Sequence, residues 1–534
     1  MTTQEEFARK DDETNEEYIA RLESILKASR EDARKNDEKA KREAEHPDLN
    51  KIQKVINPKS FTDFVILFLQ YNYQDEITRL PMLVFFDGNF YAWDGVKYVR
   101  KSKVSVRSEL YEFVPKLWHN VGKDTIERIQ PTTELLNQII DALQCRILIE
   151  PDQVPCWLED SSQPIEPLEE FISCKNGILH LPTKELRAGS PAFFTLSAID
   201  YNYQPGAERT YWIAYLDSLW EDKETKILVQ EIFGLCLSDI PNRTYQKGFI
   251  VKGPTRAGKG TIFGDVLPAI IGHSSFVGKS LNTLAERFGC ANLPGKKALV
   301  VPDARIEGNR RVRVTELLLN IISGDPLSHD RKNSSEWEGA LNCKVIICSN
   351  DLPQFKDNTG TIAGRFLYIQ MTKSFLGKED TELAEKLLKE RSGILDWAID
   401  GYNRLRNNRK FTEPKASKEL RADARRLSST MLTFVEDCCE FGQELPPISV
   451  EAVYEAYKTW RTENGVWYTY DKSTFSKDFL EACPQVTTMR PRSSEGRPQH
   501  YVGVRLRKKR DENLLCYKHN KPKPCAKCAK ENAE

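Results

Sequence analysis

The chain has 534 residues, 78 Lys plus Arg against 78 Asp plus Glu, and 40% apolar side chains. That length holds several domains with buried cores, and zero net charge leaves any nucleic-acid surface to local clustering rather than to the field of the whole chain. No stretch approaches the ~20 consecutive apolar residues of a membrane helix, and the charged first thirty residues do not read as a signal peptide.

Residues 1–55 form a charged tail, helical or disordered, in which Ile19, Leu22, Ile25 and Leu26 recur at helical spacing. Residues 56–165 read as an N-terminal α+β module. An apolar helix is predicted over Phe61–Gln70, aromatic strands with Asp-Gly turns over 85–95, and helices over 104–120 and 132–146. Residues 166–245 bring further strands and then one helical stretch, Tyr211–Leu237. Between 246 and 429 short apolar strands alternate with helices, the pattern of an α/β nucleotide-binding core, closed by a helical run over 381–406 and a boundary near Pro414. Residues 430–508 predict three helices (431–441, 450–464, 472–482) followed by strands over 486–489 and 500–506, a winged-helix pattern. Residues 509–534 are a basic tail. Most of the thirteen cysteines sit singly in apolar runs, as Cys236 and Cys348 do, which suits reduced core thiols of a cytoplasmic protein.

The strongest chemical signal is the run Gly253-Pro254-Thr255-Arg256-Ala257-Gly258-Lys259-Gly260-Thr261, which follows the apolar strand Phe249-Ile250-Val251. Glycines at its ends let backbone N–H groups converge on one anion, Lys259 adds positive charge, and the following helix offers its positive end. Two more apolar strands end in polar groups: Leu299–Val301 leads to Asp303, a candidate Mg²⁺ ligand, and Val345–Cys348 leads to Asn350, an amide suited to orienting water near a γ-phosphate.

This set resembles superfamily 3 helicases, the AAA+-like motors of small viruses, phages and plasmids. More closely it resembles the helicase part of phage and plasmid primase-helicases, related to the poxvirus primase-helicase. The carriers are Gly253–Thr261, Phe288-Gly289 with Gly295-Lys296, Asp303-Ala304-Arg305, Ser323–Pro326 leading to Asp330-Arg331-Lys332, Ser349–Pro353, Ala363–Phe366, Ser374–Asp380 and Gly393–Ala398, so the likeness spans roughly residues 85–505. It implies an α/β fold with an AAA+-like P-loop core behind a collar domain and ahead of a winged helix, ATP and Mg²⁺ as cofactors, and homo-hexameric rings moving 3′ to 5′ on single-stranded or forked DNA in a bacterial host's cytoplasm. By that resemblance Lys259 meets the β- and γ-phosphates, Asp303 serves the metal, Asn350 senses the γ-phosphate, and Arg365 enters the neighbouring subunit's nucleotide. The loop His329-Asp330-Arg331-Lys332 corresponds to the family's pore hairpin, with His329, Arg331 and Lys332 as phosphate contacts.

The chain departs from the family in two places. Gly260 stands where a Ser or Thr usually follows the lysine, so either Thr261 or water completes the Mg²⁺ shell. Ala304 and Arg305 follow Asp303 where a second acid is common, and Asp303 and Glu307 are both candidates for general base. Cys516, His519, Cys525 and Cys528 have the spacing and softness of a tetrahedral Zn²⁺ set. Only about 250 residues precede the P-loop, without a convincing set of clustered polymerase acids, so a separate primase or polymerase is the expected partner of the N-terminal region. The alternative functions are an ATP-dependent origin-binding initiator without processive unwinding, and a small-molecule kinase.

Overall fold

A computed structural model describes residues 54–76, 79–121, 125–151, 154–158, 166–330, 336–357, 360–464, 471–490 and 499–507. The tail expected over residues 1–55, except 54 and 55, lies outside them, as do Arg331, Lys332 and the zinc candidates Cys516, His519, Cys525 and Cys528. The chain divides into two compact units, one of residues up to 163 with 190–196, the other of the remainder.

In the first unit α1 (Phe61–Asn72), α2 (Lys103–Phe113) and α3 (Thr133–Arg146) bury Phe64, Phe68, Leu110, Phe113, Ile139 and Leu143 in one core. The aromatic run forms the antiparallel meander β1 (Leu83–Phe86), β2 (Asn89–Trp93) and β3 (Tyr98–Lys101), turning at Asp87-Gly88 with both residues at positive φ. The helix predicted to residue 120 stops at Phe113. Pro115 has no N–H for a helix interior, a 3-10 turn follows, and β4 (Trp118–Asn120) pairs with β5 (Ile126–Arg128). The unit ends in the two-residue pair β6 (Cys156–Trp157) and β10 (Phe193–Phe194).

The second unit begins with the antiparallel strands β7 (Phe171–Cys174), β8 (Gly177–His180) and β9 (Glu185–Arg187). The single helix expected over 211–237 is two, α4 (Thr210–Leu219) and α5 (Lys223–Leu237). Asp222 accepts the Glu224 and Thr225 N–H groups and so starts a new helix.

Five parallel strands follow, in the spatial order β12 (Phe276–Gly278), β13 (Ala298–Val301), β16 (Lys344–Ser349), β11 (Gly248–Lys252) and β17 (Phe366–Gln370). Their side chains alternate between two cores. Phe249, Val251, Ala298, Val300, Ile346, Cys348, Leu367 and Ile369 face one, and Ile250, Leu299, Val301, Val345, Ile347, Phe366 and Tyr368 face the other. The first core is closed by α5, by a wide helical turn (Thr261–Val266) running into α6 (Leu267–Ile271), and by α11 (Arg391–Asn408). The second is closed by α8 (Arg311–Ser323) and α12 (Lys415–Ser428), with α7 (Leu281–Leu284), α9 (Thr361–Arg365) and α10 (Leu383–Lys389) completing the connections. Helices α5 and α11 touch backbone to backbone: a Cβ on Gly401 would stand 2.2 Å from the Gln230 carbonyl oxygen, and one on Gly234 2.3 Å from the Tyr402 nitrogen. Between β13 and β16 the chain makes the hairpin β14 (Pro326–His329) and β15 (Trp337–Ala340).

Two buried lysines tie the amino ends of β13 and β16 to the end of α5. Lys297 Nζ donates to the Leu237 carbonyl (2.7 Å) and pairs with Asp239 (2.9 Å), while Lys344 Nζ donates to the carbonyls of Ile240 (2.6 Å) and Asn342 (2.8 Å). Residues 430–507 carry α13 (Thr430–Cys438), β18 (Cys439–Phe441), β19 (Ile448–Ser449), α14 (Val450–Glu463), α15 (Lys472–Ala482), β20 (Thr487–Met489), β21 (His500–Val502) and β22 (Val504–Leu506). They pack around Phe434, Tyr457, Phe475 and Phe479. In this part β21 lies between β19 and β20, and β18 pairs with β22.

Candidate functional site

Parallel strands align their carboxyl ends, and β13, β16 and β11 are consecutive neighbours in the sheet. Asp303, Asn350 and the Gly253–Lys259 loop therefore leave the same edge within two strand spacings, about 10 Å. The loop is folded tightly. A Cβ on Gly253 would lie 2.7 Å from the Met371 side chain. Gly258 adopts φ +95°, and a Cβ there would come within 2.4 Å of Tyr215 Oη. Arg256 also takes a left-handed backbone, φ +59°. The segment after β17 holds the loop from outside: Ser374 Oγ donates to the Thr255 carbonyl (2.8 Å), the Phe375 N–H to the Arg256 carbonyl (2.9 Å), and Glu379 approaches the Arg256 guanidinium at 3.6 Å.

Lys259 lies back on its own loop. Its Nζ donates to the carbonyls of Gly253 and Pro254 (the latter at 2.8 Å) and to Asn350 Oδ1 at 2.9 Å, while Asn350 Nδ2 reaches Thr255 Oγ1 at 3.4 Å. Partial burial draws the ammonium below the usual lysine pKa. β11 and β16 are neighbours in the sheet, and Lys259 and Asn350 are thus in direct side-chain contact. Tyr215, on α4, was not anticipated. Its hydroxyl donates to the Gly258 carbonyl at 3.5 Å, and burial pushes its pKa up to about 12. In the sequence it reads as one more aromatic on an apolar helix face.

Asp303 is more than half exposed and pairs with Arg305 Nε at 3.2 Å. It lines an open cleft of about 580 Å³ together with Arg311, Asn350, Asp351 and Gln354. Glu307, the other candidate base, is turned toward Arg310 at 3.2 Å. Asp303 supplies hard carboxylate oxygens and Thr261 a hydroxyl, so the donor set fits a Mg²⁺ ion that retains several waters.

Arg365 is not brought to this edge. It immediately precedes β17, level with Lys247 at the amino end of β11, and about 20 Å of strand separates it from Gly253. Of the hairpin candidates, His329 packs tilted against Trp337 across the strands at 4.9 Å between ring centroids. The hairpin is held to the preceding segment by Arg287 and Asp330 at 2.5 Å.

Residues 251–365, which contain Lys259, Asp303, Asn350 and Arg365, match the profile of a "Family of unknown function (DUF5906)", and residues 73–221 match the profile described as "D5 N terminal like". Both domain types are typical of phage and plasmid primase-helicase proteins. No curated protein matches the chain. Among solved structures the chain is similar to the apo structure of the NrS-1 C terminal region (305-718), at 14% identity and TM-score 0.45, covering 85% of this chain and 100% of that one. The A form of the apo NrS-1 C terminal region gives 13% identity and TM-score 0.39, covering 84% and 100%. No helix among the described residues is long and apolar enough to cross a membrane.

Proposed function

We propose that the chain is an ATP-driven DNA helicase of the superfamily 3 kind, working as a hexameric ring in phage or plasmid replication. One observation supports this reading: Lys259, Asp303 and Asn350 share the carboxyl edge of one parallel sheet while Arg365 stands at its amino edge, away from this copy's own site and free to serve that of another copy. Sites shared between subunits need head-to-tail association, which closes into a ring when the rotation between copies allows it; the ring would take single-stranded DNA through its centre. Lys259 trades the Gly253 and Pro254 carbonyls for β- and γ-phosphate oxygens, loop amides surround the phosphates, and Asn350 orients the attacking water. Asp303, with Thr261 or water, would hold Mg²⁺, which would supply charge neutralisation at the phosphates.

His329, Arg331 and Lys332 of the hairpin region meet DNA phosphates, and residues 430–507 act as a winged helix. Cys516, His519, Cys525 and Cys528 form a zinc knuckle. About one zinc per chain is expected, lost in Cys525→Ser, and full-length protein purified without zinc rejects the knuckle. For the motor, the test is ATP hydrolysis and strand displacement on forked DNA with the full chain. Displacement that requires hydrolysis is expected. Hydrolysis stimulated by DNA without displacement points to the origin-binding initiator, and hydrolysis indifferent to DNA rejects both in favour of a kinase.

A further inference from the structure

At the amino edge of the sheet lies a second cleft, of about 510 Å³, lined among others by Arg243, Thr244, Gln246, Lys247, Thr361 and Arg365. Its lining holds three cations and no carboxylate. Glu413 stands nearby but is paired with Arg421 at 2.6 Å. Lys247 Nζ donates to the Gly364 carbonyl at 2.6 Å, and burial, then the neighbouring Arg421 and Arg365 guanidinium groups, depress its pKa, with Glu413 opposing. Arg365 thus sits among like charges. Among the described residues no carboxylate pairs with it, and its Nη1 donates to the side-chain carbonyl of Gln246.

Gln246 is held in an unusual way. Its backbone is left-handed, φ +51°, a region unfavourable for any residue with a side chain. The turn is closed by the Gln246 N–H donating to the Asn242 carbonyl at 2.8 Å. Asn242 is itself buried, and its Nδ2 reaches the carbonyls of Ile321 (2.8 Å), Leu341 (3.1 Å) and Cys343 (3.0 Å). The strained turn is therefore fixed to the sheet's own framework. A neutral amide at its tip anchors the guanidinium without cancelling its charge, which a carboxylate would do.

We propose that Gln246 is a positioning residue that presents Arg365, still fully charged, outward from the amino edge to the triphosphate bound by a neighbouring copy. This rests on the shared-site reading above. Gln246→Ala is expected to lower DNA-stimulated ATP hydrolysis roughly 10–100-fold with unchanged thermal melting. Gln246→Gly, which relieves the backbone, is expected to be at least as stable as the natural protein and equally impaired. Gln246→Glu keeps an acceptor but neutralises Arg365, and is expected not to restore the rate.

The decisive measurement mixes copies. Lys259→Ala protein keeps its amino edge, and Gln246→Ala protein keeps its P-loop, so a 1:1 mixture regains active interfaces at roughly a quarter of junctions by random assembly. Recovery is expected there, and in the parallel mixture of Arg365→Ala with Lys259→Ala. If the Arg365 mixture recovers and the Gln246 mixture does not, Gln246 serves the nucleotide of its own subunit and the inference fails alone. If neither recovers, the shared site falls and the inference with it. Gln246→Ala protein hydrolysing ATP at the natural rate also overturns it.

Discussion

Lys259→Ala is expected to bring ATP hydrolysis to background, a fall on the order of 10³-fold or more, with the fold intact. The ammonium is held at the carboxyl end of β11, and its three acceptors are the Gly253 and Pro254 carbonyls and Asn350 Oδ1. None of these belongs to the hydrophobic cores, so removing the side chain leaves the packing on both sheet faces untouched. What is lost is a mobile positive charge able to follow negative charge as it builds on the transferring phosphoryl group, together with the contact that fixes the Asn350 amide. Lys259→Arg does not substitute, because a planar fork cannot reproduce a point charge that meets three acceptors in different directions. Steady-state hydrolysis and nucleotide binding measured side by side decide the matter. Residual hydrolysis within about tenfold of the natural protein would remove this lysine, and with it the P-loop reading, from the chemistry.

Much of the candidate site was legible because its strands are short apolar runs ending in conspicuous polar residues. Such runs need no tertiary knowledge to be read as strand: Phe249-Ile250-Val251, Leu299–Val301 and Val345–Cys348 are buried on both faces, and each delivers its polar group a few residues later. The position of Arg365 was not legible, since it depends on the spatial order of five strands, which no local pattern encodes. Gln246 gave no signal either. Its left-handed backbone occurs without the glycine or asparagine that usually marks one, and its anchor Asn242 finds its acceptors about 80 to 100 residues away. Two element errors had readable causes that apolar spacing outweighed. Pro115 ends α2, and Asp222 caps α5, so both helical stretches should have been divided there.

The second unit is expected to lose stability steeply above pH 9 under reducing conditions. Burial pushes the thiols of Cys174, Cys236, Cys343, Cys348 and Cys483 up to about 12 from an ordinary value of 9.0. A group whose pKa is raised by folding contributes fully below its unfolded value and loses that contribution as pH climbs toward the folded value, so the window runs from 9 to 12. At pH 10 each thiol costs on the order of 1 kcal/mol, and the five together are a sizeable fraction of a typical domain's stability. Lys344 works in the opposite direction. Burial lowers it to about 8, so its penalty is relieved as pH rises toward 10.5, by roughly 3 kcal/mol at most. The thiols win by number. Urea unfolding between pH 9 and 10.5 is therefore expected to show a falling stability whose slope becomes roughly two fifths to a half shallower in Cys174→Ala/Cys483→Ala, two thiols remote from Lys344's partners Cys236 and Cys343. The slope, unlike the absolute stability, is insensitive to the cavities those substitutions leave. An unchanged slope would mean that these thiols ionise as readily in the folded unit as in the unfolded chain, and that the alkaline limit is set elsewhere.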